Sequence, residues 1–535
     1  MCENSKKSPL GQEPNKYSRI HGMQFFDKIS DAIDKRCEFA KDKDRIIFSK
    51  AFRRLGHKTQ IYTHSKGDHY RTRLTHTLEV AQIAQSIAKR LERFAINIEL
   101  CTAIAYGHDI GHTPFGHEGE RALNDIMTGR DTLGGVIKQQ FNHGGFKHNF
   151  NSLRVLSKVE KKYPRRAGMN LTWETMEGIL KHTSFRSKTS NNKDAWRIKE
   201  YLDSYETYFV DSDNLLEHDY PVTLEGQIVA IADEIAQRQH DLDDGFMDNS
   251  LNIQLPEFVR DLVDELERVD EKIKLRNIYG PMQKDLKKIK DYLDDKKADL
   301  EIAQDLIIRW LLNYLIYDIT SHSENLLKSG NLEIFEFKDK KCFAKKYIEF
   351  SELGKAINVY CENYIRTEIV NSYEVNSQDE KAIYVIRRLF KAFHNNPRQM
   401  PKYVLENIYN NVRELSQKYN NPDFISRYIQ ADSLRRIKKQ DLNKLIAILR
   451  LDADSFDNEY FAKNTSDESN DNFPKEIKDL FAAYKTIVDP DSLTNDTDRF
   501  IYEMNHCYLF EICDYISGMT DNYCASEYKK LFQVD

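Results

Sequence analysis

Residues 71–91 of the chain, RTRLTHTLEVAQIAQSIAKRL, carry the apolar spacing that an amphipathic helix requires. Apolar side chains recur three to five positions apart along one predicted face, at Leu74, Leu78, Ile83, Ile87 and Leu91. The same pattern predicts helices over residues 223–240, 255–275, 282–328, 352–376, 379–394 and 401–419. Strand signals are scarce, and 21 Gly and 12 Pro are few for 535 residues, so the predicted fold class is mainly α.

The composition predicts a soluble protein with a large core or with two or three lobes. Hydrophobic residues make up 40% of the 535 positions, and charged residues make up 31% with a formal net charge of −6. Because acidic and basic residues nearly cancel, the overall field does not attract polyanions, and a polyanionic substrate needs a local basic patch or a metal.

The cysteines indicate a reducing compartment. Eight of them are scattered without a CxxC pair, which predicts reduced thiols, and Cys101 in an apolar run is expected to be a small core residue. Residues 1–19 lack the apolar core of a secretion signal. The most apolar stretch, LIIRWLLNYLIY (306–317), is too short and too polar to span a bilayer, so it predicts a buried helix. We therefore expect a cytoplasmic protein with no membrane partner.

Composition also indicates loops and a division of the chain. Residues 187–195, 250–258 and 464–474 are predicted loops. We expect an N-terminal segment (1–39), a helical core that bears the metal (40–245) and a C-terminal helical region (246–535).

Histidine and carboxylate side chains are concentrated in residues 108–120, HDIGHTPFGHEGE. His108 and Asp109 are adjacent, and Gly107 and Gly111 permit the bend that lets both side chains reach one ligand. Imidazole and carboxylate together suit a divalent metal of intermediate hardness. The pair alone is a weak signal, because adjacent His and Asp also occur as a surface ion pair or a helix cap. The chain has a second such pair at His240–Asp241.

Two distant residues strengthen the metal hypothesis. His76 lies on the predicted 71–91 helix, and Asp233 lies among apolar residues on the 223–240 helix. A carboxylate in such a setting is expected to be metal-bound or in a buried salt bridge. The order H…HD…D resembles the ligand pattern of the HD-domain phosphohydrolases, in which a metal acts as a Lewis acid.

A narrower resemblance extends over almost the whole chain. The chain resembles the deoxynucleoside triphosphate (dNTP) triphosphohydrolases, the dGTPase-like branch of the HD superfamily. The blocks that carry the likeness occur in the family's order: DRIIFSKAFRRLGHKTQI (44–61), RTRLTHTLEV (71–80), HDIGHTPFGHEGE (108–120), GGFKHNFNSLRVL (144–156), MNLTWETMEGILKHT (169–183), IADEIAQRQHDLDD (231–244), RRLFKAFHNNPRQMP (387–401) and ICDYISGMTDNY (512–523).

The resemblance implies an HD-domain helical core and the cleavage of a dNTP at its α-phosphorus, which yields a deoxynucleoside and inorganic triphosphate. It implies four metal ligands, His76, His108, Asp109 and Asp233. Mn²⁺ or Mg²⁺ is expected, and Fe, Co, Ni or Zn would also suit these donors.

The resemblance implies His117 and Glu120 as the catalytic pair. Their i, i+3 spacing puts them on one helix face, where the carboxylate can orient the imidazole for proton transfer. By itself such a spacing is more typical of an exposed ion pair. His112 is a further catalytic candidate, for which phosphate contact and structural hydrogen bonding are equal alternatives.

Substrate contacts are expected from five residues. Arg73 lies one turn before His76 and could clamp a phosphate, with a structural salt bridge as the alternative. The others are Gln60 near the deoxyribose, Asp241 at the sugar 3′-hydroxyl, Gln237 on the same helix face, and Lys181, which with His182 could reach the triphosphate. At Gln237 the family commonly has tyrosine. Further departures from the family pattern are NFNS at 149–152 and Asn522.

Three functions remain open from the sequence. They are the dNTP triphosphohydrolase, another HD phosphohydrolase such as a nucleotidase or an alarmone or cyclic-nucleotide hydrolase, and a nucleotide-sensing regulator. The resemblance also implies a homo-oligomer, a hexamer or lower, and in some members activation by a second nucleotide effector. The basic run KKYPRR (161–166) could meet nucleic acid, but a solvated loop is the simpler interpretation.

Overall fold

The structure of the protein is a computed structural model. The described residues are 11–12, 19, 35–60, 71–137, 142–164, 167–184, 217–248, 250–251, 253–273, 280–295, 297–419, 446, 449–450 and 496–533. The predicted loops at 187–195 and 464–474 lie outside them.

The mainly α prediction is confirmed. The helices are α1 (Glu38–Ile47), α2 (Lys50–Arg54), α3 (Arg73–Arg90), α4 (Ile98–Gly107), α5 (Gly116–Met127), α6 (His148–Arg154), α7 (Trp173–Lys181), α8 (Leu224–Met247), α9 (Leu255–Ile273), α10 (Gly280–Leu293), α11 (Leu300–Lys328), α12 (Glu352–Tyr364), α13 (Tyr373–Asn395), α14 (Lys402–Lys418), α15 (Asp496–Ser517) and α16 (Asp521–Phe532). Short 3₁₀ turns lie at Leu55–His57, Glu92–Phe94 and Pro397–Gln399, and π-helical turns at Val155–Val159 and Ile365–Val370. Within the described residues the strands are β1 (Ile334–Phe337) and β2 (Lys340–Phe343), which form one antiparallel hairpin.

The chain divides into two compact units. The first comprises residues 1–116, 148–185 and 202–380, and the second comprises residues 117–147, 186–201 and 381–535. In the second unit, α14 packs against α15. There Tyr508 is fully buried, and its hydroxyl donates to the carbonyl of His394 at 2.7 Å.

Helix α4 lies at the centre of the first unit. It packs against α1, α3, α7 and α8, and Leu100, Cys101, Ala103, Ile104 and Ala105 are fully buried. A helix whose central residues are apolar on every side must be enclosed by others. The expected core position of Cys101 is confirmed, and the HD pair at the end of α4 is placed inside the unit.

Side-chain caps begin the helices that surround the site. Thr72, Asn97, Thr172 and Thr223 each accept a hydrogen bond from a backbone N–H in the first turn of α3, α4, α7 and α8 respectively. Such caps satisfy donors that the helix itself leaves unpaired.

Several predicted boundaries were wrong. The helix predicted over 223–240 continues to Met247, and the helix predicted over 379–394 begins at Tyr373. The predicted helix 282–328 is two helices, because Asp299 caps a new start by accepting from the N–H groups of Glu301 and Ile302. The predicted helix 352–376 is interrupted by the π-helical turn and by Asn371. The predicted loop 250–258 ends early, because α9 begins at Leu255 with Pro256 in its first turn, where proline is tolerated. None of the described helices has both the length and the apolarity needed to cross a membrane.

Candidate metal centre

Four side chains from three separate helical segments converge in the first unit. His76 comes from α3, His108 and Asp109 follow the end of α4, and Asp233 comes from α8. His76 Nε2 lies 3.0 Å from Asp233 Oδ1 and 3.9 Å from Asp109 Oδ2. His108 Nε2 lies 3.5 Å from Oδ1 of Asp109 and 3.5 Å from Oδ1 of Asp233.

This arrangement fits a divalent metal. Neighbouring ligand atoms about 2.1 Å from one ion lie roughly 3.0–3.6 Å apart, which matches most of these separations. His108 is fully buried, and its Nε2 has no hydrogen-bond partner within the described part of the chain. A buried nitrogen without a partner is costly, and a cation between the two carboxylates would satisfy it.

The electrostatics of the cluster favour a positive charge. Burial opposes the charged form of His108, but Asp109 and Asp233 outweigh burial and raise the pKa of this imidazole to about 9. Burial would also raise the pKa of Asp109, yet His112, His108 and Arg73 hold it well below its usual range. Burial would raise the pKa of Asp233 as well, but His108 and His76 hold it well below its usual range. Both carboxylates thus stay ionised, which is the state that a metal requires of carboxylate ligands.

Backbone hydrogen bonds fix the turn that carries the HD pair. Ser152 Oγ accepts from the N–H of Gly111 and donates to the carbonyl of His108, both at 2.9 Å. Asn151 Nδ2 donates to the carbonyl of Gly111 at 2.7 Å. A Cβ on Gly111 would lie 2.2 Å from Ser152 N and 2.3 Å from the oxygen of His148, so only glycine permits this close approach.

His112 lies beside the cluster. Its Nε2 is 3.1 Å from Asp109 Oδ1, and its ring stacks on that of His148 with centroids 3.9 Å apart. Burial, Arg73 and His148 hold its pKa well below the usual range. Lys58 of the 44–61 block is buried and donates to the carbonyl of His112, so it supports the backbone at this position.

Arg73 faces the centre as expected, but part of it is engaged. Its NH1 pairs with Asp109 Oδ2 at 2.7 Å, and the side chain is 1% exposed. Its Nε and NH2 have no hydrogen-bond partner among the described residues. The structural salt bridge and the phosphate clamp are therefore compatible, because one nitrogen holds Asp109 and two buried donors remain.

The other predicted substrate residues occupy different settings. Gln60 is half-buried, and its Oε1 has no partner in the described ranges. Gln237 is half-buried on α8. Asp241 is buried on the same helix, and burial, with Asp244 and Asp233, raises its pKa to about 8 although Arg238 and Arg71 lower it.

Lys181 is completely buried at the end of α7. Its Nζ lies 2.9 Å from Glu177 Oε1, and Glu177 Oε1 also accepts from the N–H of Val222. This position gives Lys181 a structural partner in the interior. Its substrate role stays a prediction.

The predicted catalytic pair lies on α5, in the second unit. His117 is exposed and Glu120 is buried. A ring nitrogen of His117 and a carboxylate oxygen of Glu120 lie within 4.8 Å of each other, as the i, i+3 spacing predicts. Glu120 Oε1 is also 3.0 Å from Lys147 Nζ.

Sequence reasoning missed a supporting histidine. His240 Nδ1 lies 3.1 Å from His76 Nδ1, and His240 Nε2 contacts the carboxylate of Glu79. Partners of this kind orient metal-ligating imidazoles. The available signal was the polar face of residues 233–241, since His240 lies seven residues after Asp233 on α8.

Two further buried histidines were not predicted as part of the metal centre. A ring nitrogen from each of His148 and His182 lies within 4.8 Å of a carboxylate oxygen of Asp109. They come from α6 and from the residue after α7. No spacing rule links them to residue 109, so their proximity required the structure.

Comparison with known proteins gives two family matches. Residues 73–237 match the HD domain, and residues 459–530 match the phosphohydrolase-associated domain. The chain is 33% identical over 383 residues to a deoxyguanosinetriphosphate triphosphohydrolase-like protein of Bartonella quintana, and the match spans 71% of this chain and 83% of that protein. It is 33% identical over 370 residues to a protein of the same description from Geobacter metallireducens, spanning 69% and 80%. The corresponding protein of Rickettsia bellii is 34% identical over 368 residues, spanning 68% and 82%.

Proposed function

The chain belongs to the deoxyguanosinetriphosphate triphosphohydrolase-like family of HD-domain phosphohydrolases, and we propose that it cleaves dNTPs at the α-phosphorus. In this reaction water adds its oxygen to the α-phosphorus, the bond to the 5′ oxygen breaks, and that oxygen takes up a proton. The products are a deoxynucleoside and inorganic triphosphate.

One observation carries the proposal. Two ionised carboxylates and two imidazoles converge beside the buried Arg73, whose Nε and NH2 have no hydrogen-bond partner among the described residues. His76, His108, Asp109 and Asp233 would hold a divalent cation. Such a cation supplies Lewis acidity to a phosphate oxygen and makes water more acidic. This donor set with an adjacent phosphate-binding group suits phosphate-ester hydrolysis.

The chain's own residues have distinct parts in the proposed reaction. Arg73 keeps Asp109 in place through NH1 and offers Nε and NH2 to a phosphate oxygen, which places the phosphate next to the centre. His117, oriented by Glu120, exchanges a proton with the attacking water or the departing 5′ oxygen. Gln60 and Asp241 would contact the deoxyribose.

The sugar contact differs from the common family arrangement. Gln237 takes the position where the family commonly has a tyrosine ring against the deoxyribose. We therefore propose weaker exclusion of ribonucleotides than in tyrosine-bearing members, because an amide cannot fill the space of a ring. Competition between dATP and ATP would measure this difference directly.

The deciding experiment separates the products of each dNTP. Purified protein with Mn²⁺ or Mg²⁺ is incubated with each of the four dNTPs, alone and in mixtures, and chromatography identifies nucleoside and phosphates. In H₂¹⁸O, one ¹⁸O should enter the triphosphate and none the nucleoside. Orthophosphate or pyrophosphate as the first product would instead support another HD phosphohydrolase.

One control variant and three further measurements complete the test. Asp233→Asn, which keeps the shape of the side chain but removes its charge, should abolish turnover. Binding of dNTPs by the unaltered chain without any release of triphosphate would support a nucleotide-sensing regulator. Turnover that appears only in mixtures would support activation by a second nucleotide, and sedimentation of the same samples would test the proposed hexamer or smaller homo-oligomer.

A further inference from the structure

Arg71 joins the two helices that carry the proposed phosphate and sugar contacts. It lies just before α3, and its NH1 pairs with Asp244 Oδ1 at 2.7 Å while its NH2 pairs with Asp243 Oδ2 at 2.6 Å. Both carboxylates are buried and lie near the end of α8. The forked guanidinium therefore ties the start of α3 to the last turns of α8.

The two ends of this link adjoin the groups proposed to bind the nucleotide. Arg73, which has two buried donors without a partner among the described residues, lies two positions after Arg71. Asp241, whose Oδ1 also has no hydrogen-bond partner within the described ranges, lies two positions before Asp243. We propose that Arg71 is a positioning residue for the deoxyribose end of the site, and that it sets the place of Asp241 relative to Arg73. This inference rests on the proposed function and deepens it, because Asp241 is the contact proposed for the sugar 3′-hydroxyl.

Other contacts hold each end of the link in place. On the α3 side, the N–H of Arg73 donates to the carbonyl of Lys58 at 3.0 Å. On the α8 side, Gln304 of α11 donates through Nε2 to Asp243 Oδ1 at 2.8 Å and to the carbonyl of Asp243 at 3.1 Å. Because each end has its own support, a change at Arg71 acts on the fit between the two helices and leaves each helix intact.

Arg71 also acts on Asp241 through its charge. Asp241, Asp243 and Asp244 are three buried carboxyl groups in the same turn of α8. Burial and the neighbouring carboxylates raise the pKa of Asp241 to about 8, whereas Arg238 and Arg71 lower it. Buried charges of one sign are costly without a cation among them. Arg71 therefore stabilises both the side chain that is to meet the sugar and the segment that carries it.

The competing interpretation is an ion pair that only stabilises the fold. Loss of such a pair lowers activity toward every substrate alike, because it changes the amount of folded protein or the site as a whole. A positioning role through Asp241 affects only substrates that carry a 3′-hydroxyl. The deciding comparison is therefore between the dNTP that the chain prefers and its 2′,3′-dideoxy analogue (ddNTP), which lacks this hydroxyl.

The test measures kcat and KM for both nucleotides with Mn²⁺, in the unaltered chain and in Arg71→Lys. Lysine keeps the positive charge beside the carboxylates, but its single ammonium cannot replace the fork. The unaltered chain should prefer the dNTP by about tenfold or more in kcat/KM, because the ddNTP loses one hydrogen bond. In Arg71→Lys this preference should fall to about threefold or less, through a higher KM for the dNTP with little change in kcat.

A second variant tests the other end of the same link. Asp244→Asn keeps the shape of the side chain and removes its charge, and it should reduce the preference as Arg71→Lys does. The double variant should show no further loss, because both changes break one interaction. Thermal unfolding followed by circular dichroism shows that each variant is folded.

The matched control is Arg93→Lys, the same change just beyond the other end of α3, where exposed Arg93 pairs with Glu324 at 3.0 Å. It should keep the full preference for the dNTP. Equal losses for both nucleotides in Arg71→Lys would overturn the proposal, as would an unchanged preference in Arg71→Lys and Asp244→Asn. An unaltered chain that does not distinguish dNTP from ddNTP would overturn it too.

Failure of the proposed function is a separate outcome of the same experiment. If the chain binds the dNTP without cleaving it, the proposed hydrolysis fails. The ratio of the dissociation constants for dNTP and ddNTP, measured by calorimetry, then tests Arg71 with the same variants and the same expected changes. If the chain cleaves the dNTP and Arg71→Lys keeps the full preference, only the role of Arg71 fails.

Discussion

Glu225 gives a prediction about stability that is independent of the metal centre. This residue lies in the first turn of α8 and is fully buried. Its Oε1 accepts from the N–H groups of Gln12 and Asn97 at 2.7 Å and 2.9 Å, whereas its Oε2 has no partner among the described residues. Burial raises its pKa from the ordinary 4.5 to about 7, although the two amides and the charge of Lys340 lower it.

The sign of the effect follows from proton binding. Between pH 4.5 and about 7 the folded chain binds more protons at Glu225 than the unfolded chain does, so the free energy of unfolding falls as pH rises. The pKa difference of about 2.5, at about 1.36 kcal/mol for each pH unit, amounts to about 3 kcal/mol. This contribution is fully present below pH 4.5 and is lost above about pH 7.

Glu225→Gln removes the titration while keeping an oxygen to accept the two amides. We expect the variant and the unaltered chain to have similar unfolding free energies at pH 5. At pH 8.5 the variant should be more stable by up to about 3 kcal/mol. Urea unfolding at half-unit pH steps measures the unfolding free energy of the variant and of the unaltered chain. The control is Glu301→Gln, which makes the same change in the exposed first turn of α11. The reasoning would be refuted if the free energy of unfolding varied with pH in the same way for Glu225→Gln and the unaltered chain.

Four further predictions concern the metal centre. Ser152→Ala removes both hydrogen bonds to the HD turn and should cost about 1–3 kcal/mol of unfolding free energy and weaken Mn²⁺ binding in calorimetry. Gly111→Ala forces Cβ into backbone and should lose metal affinity, whereas Gly56→Ala, whose Cβ would meet only a Leu74 side chain at 3.5 Å, should not. Asp233→Asn should weaken Mn²⁺ binding by about 100-fold or more, beyond the 10–100-fold typical of supporting residues. Arg73→Lys keeps the positive charge but loses the forked guanidinium that could bind Asp109 and a phosphate oxygen together. We expect kcat/KM for a dNTP to fall about tenfold or more. Unchanged kinetics would exclude phosphate binding by Arg73.

The helices were predictable because each depends on local spacing. Leu74, Leu78, Ile83 and Ile87 mark α3 without reference to the rest of the chain, and α3 was found within two residues of its ends. The break between α10 and α11 was missed because it depends on one capping side chain, Asp299, inside a continuous apolar pattern. Local rules locate helices better than they locate caps.

The convergence of the metal donors was predictable only through the resemblance. Each of His76, His108 and Asp233 has a local setting that fits a core ion pair equally well. What the sequence did not indicate is which polar residues of neighbouring helices meet. His182 illustrates this, because its contact with His148 depends on how α6 packs against α7.

The residues that hold the centre in place act on the main chain more than on the ligands. Ser152, Asn151 and Lys58 bond to the backbone of His108, Gly111 and His112, and Asn149 bonds to the backbone at the end of α7. The backbone positions of His108 and Gly111 depend in this way on α6 packing beside the HD turn, and that of His112 depends on Lys58. The donors are thus arranged before binding, and binding energy is not spent on ordering a loop. We therefore expect the NFNS departure to leave the HD turn in place, because Asn149 and Ser152 keep both anchors and Phe150 is fully buried in the core.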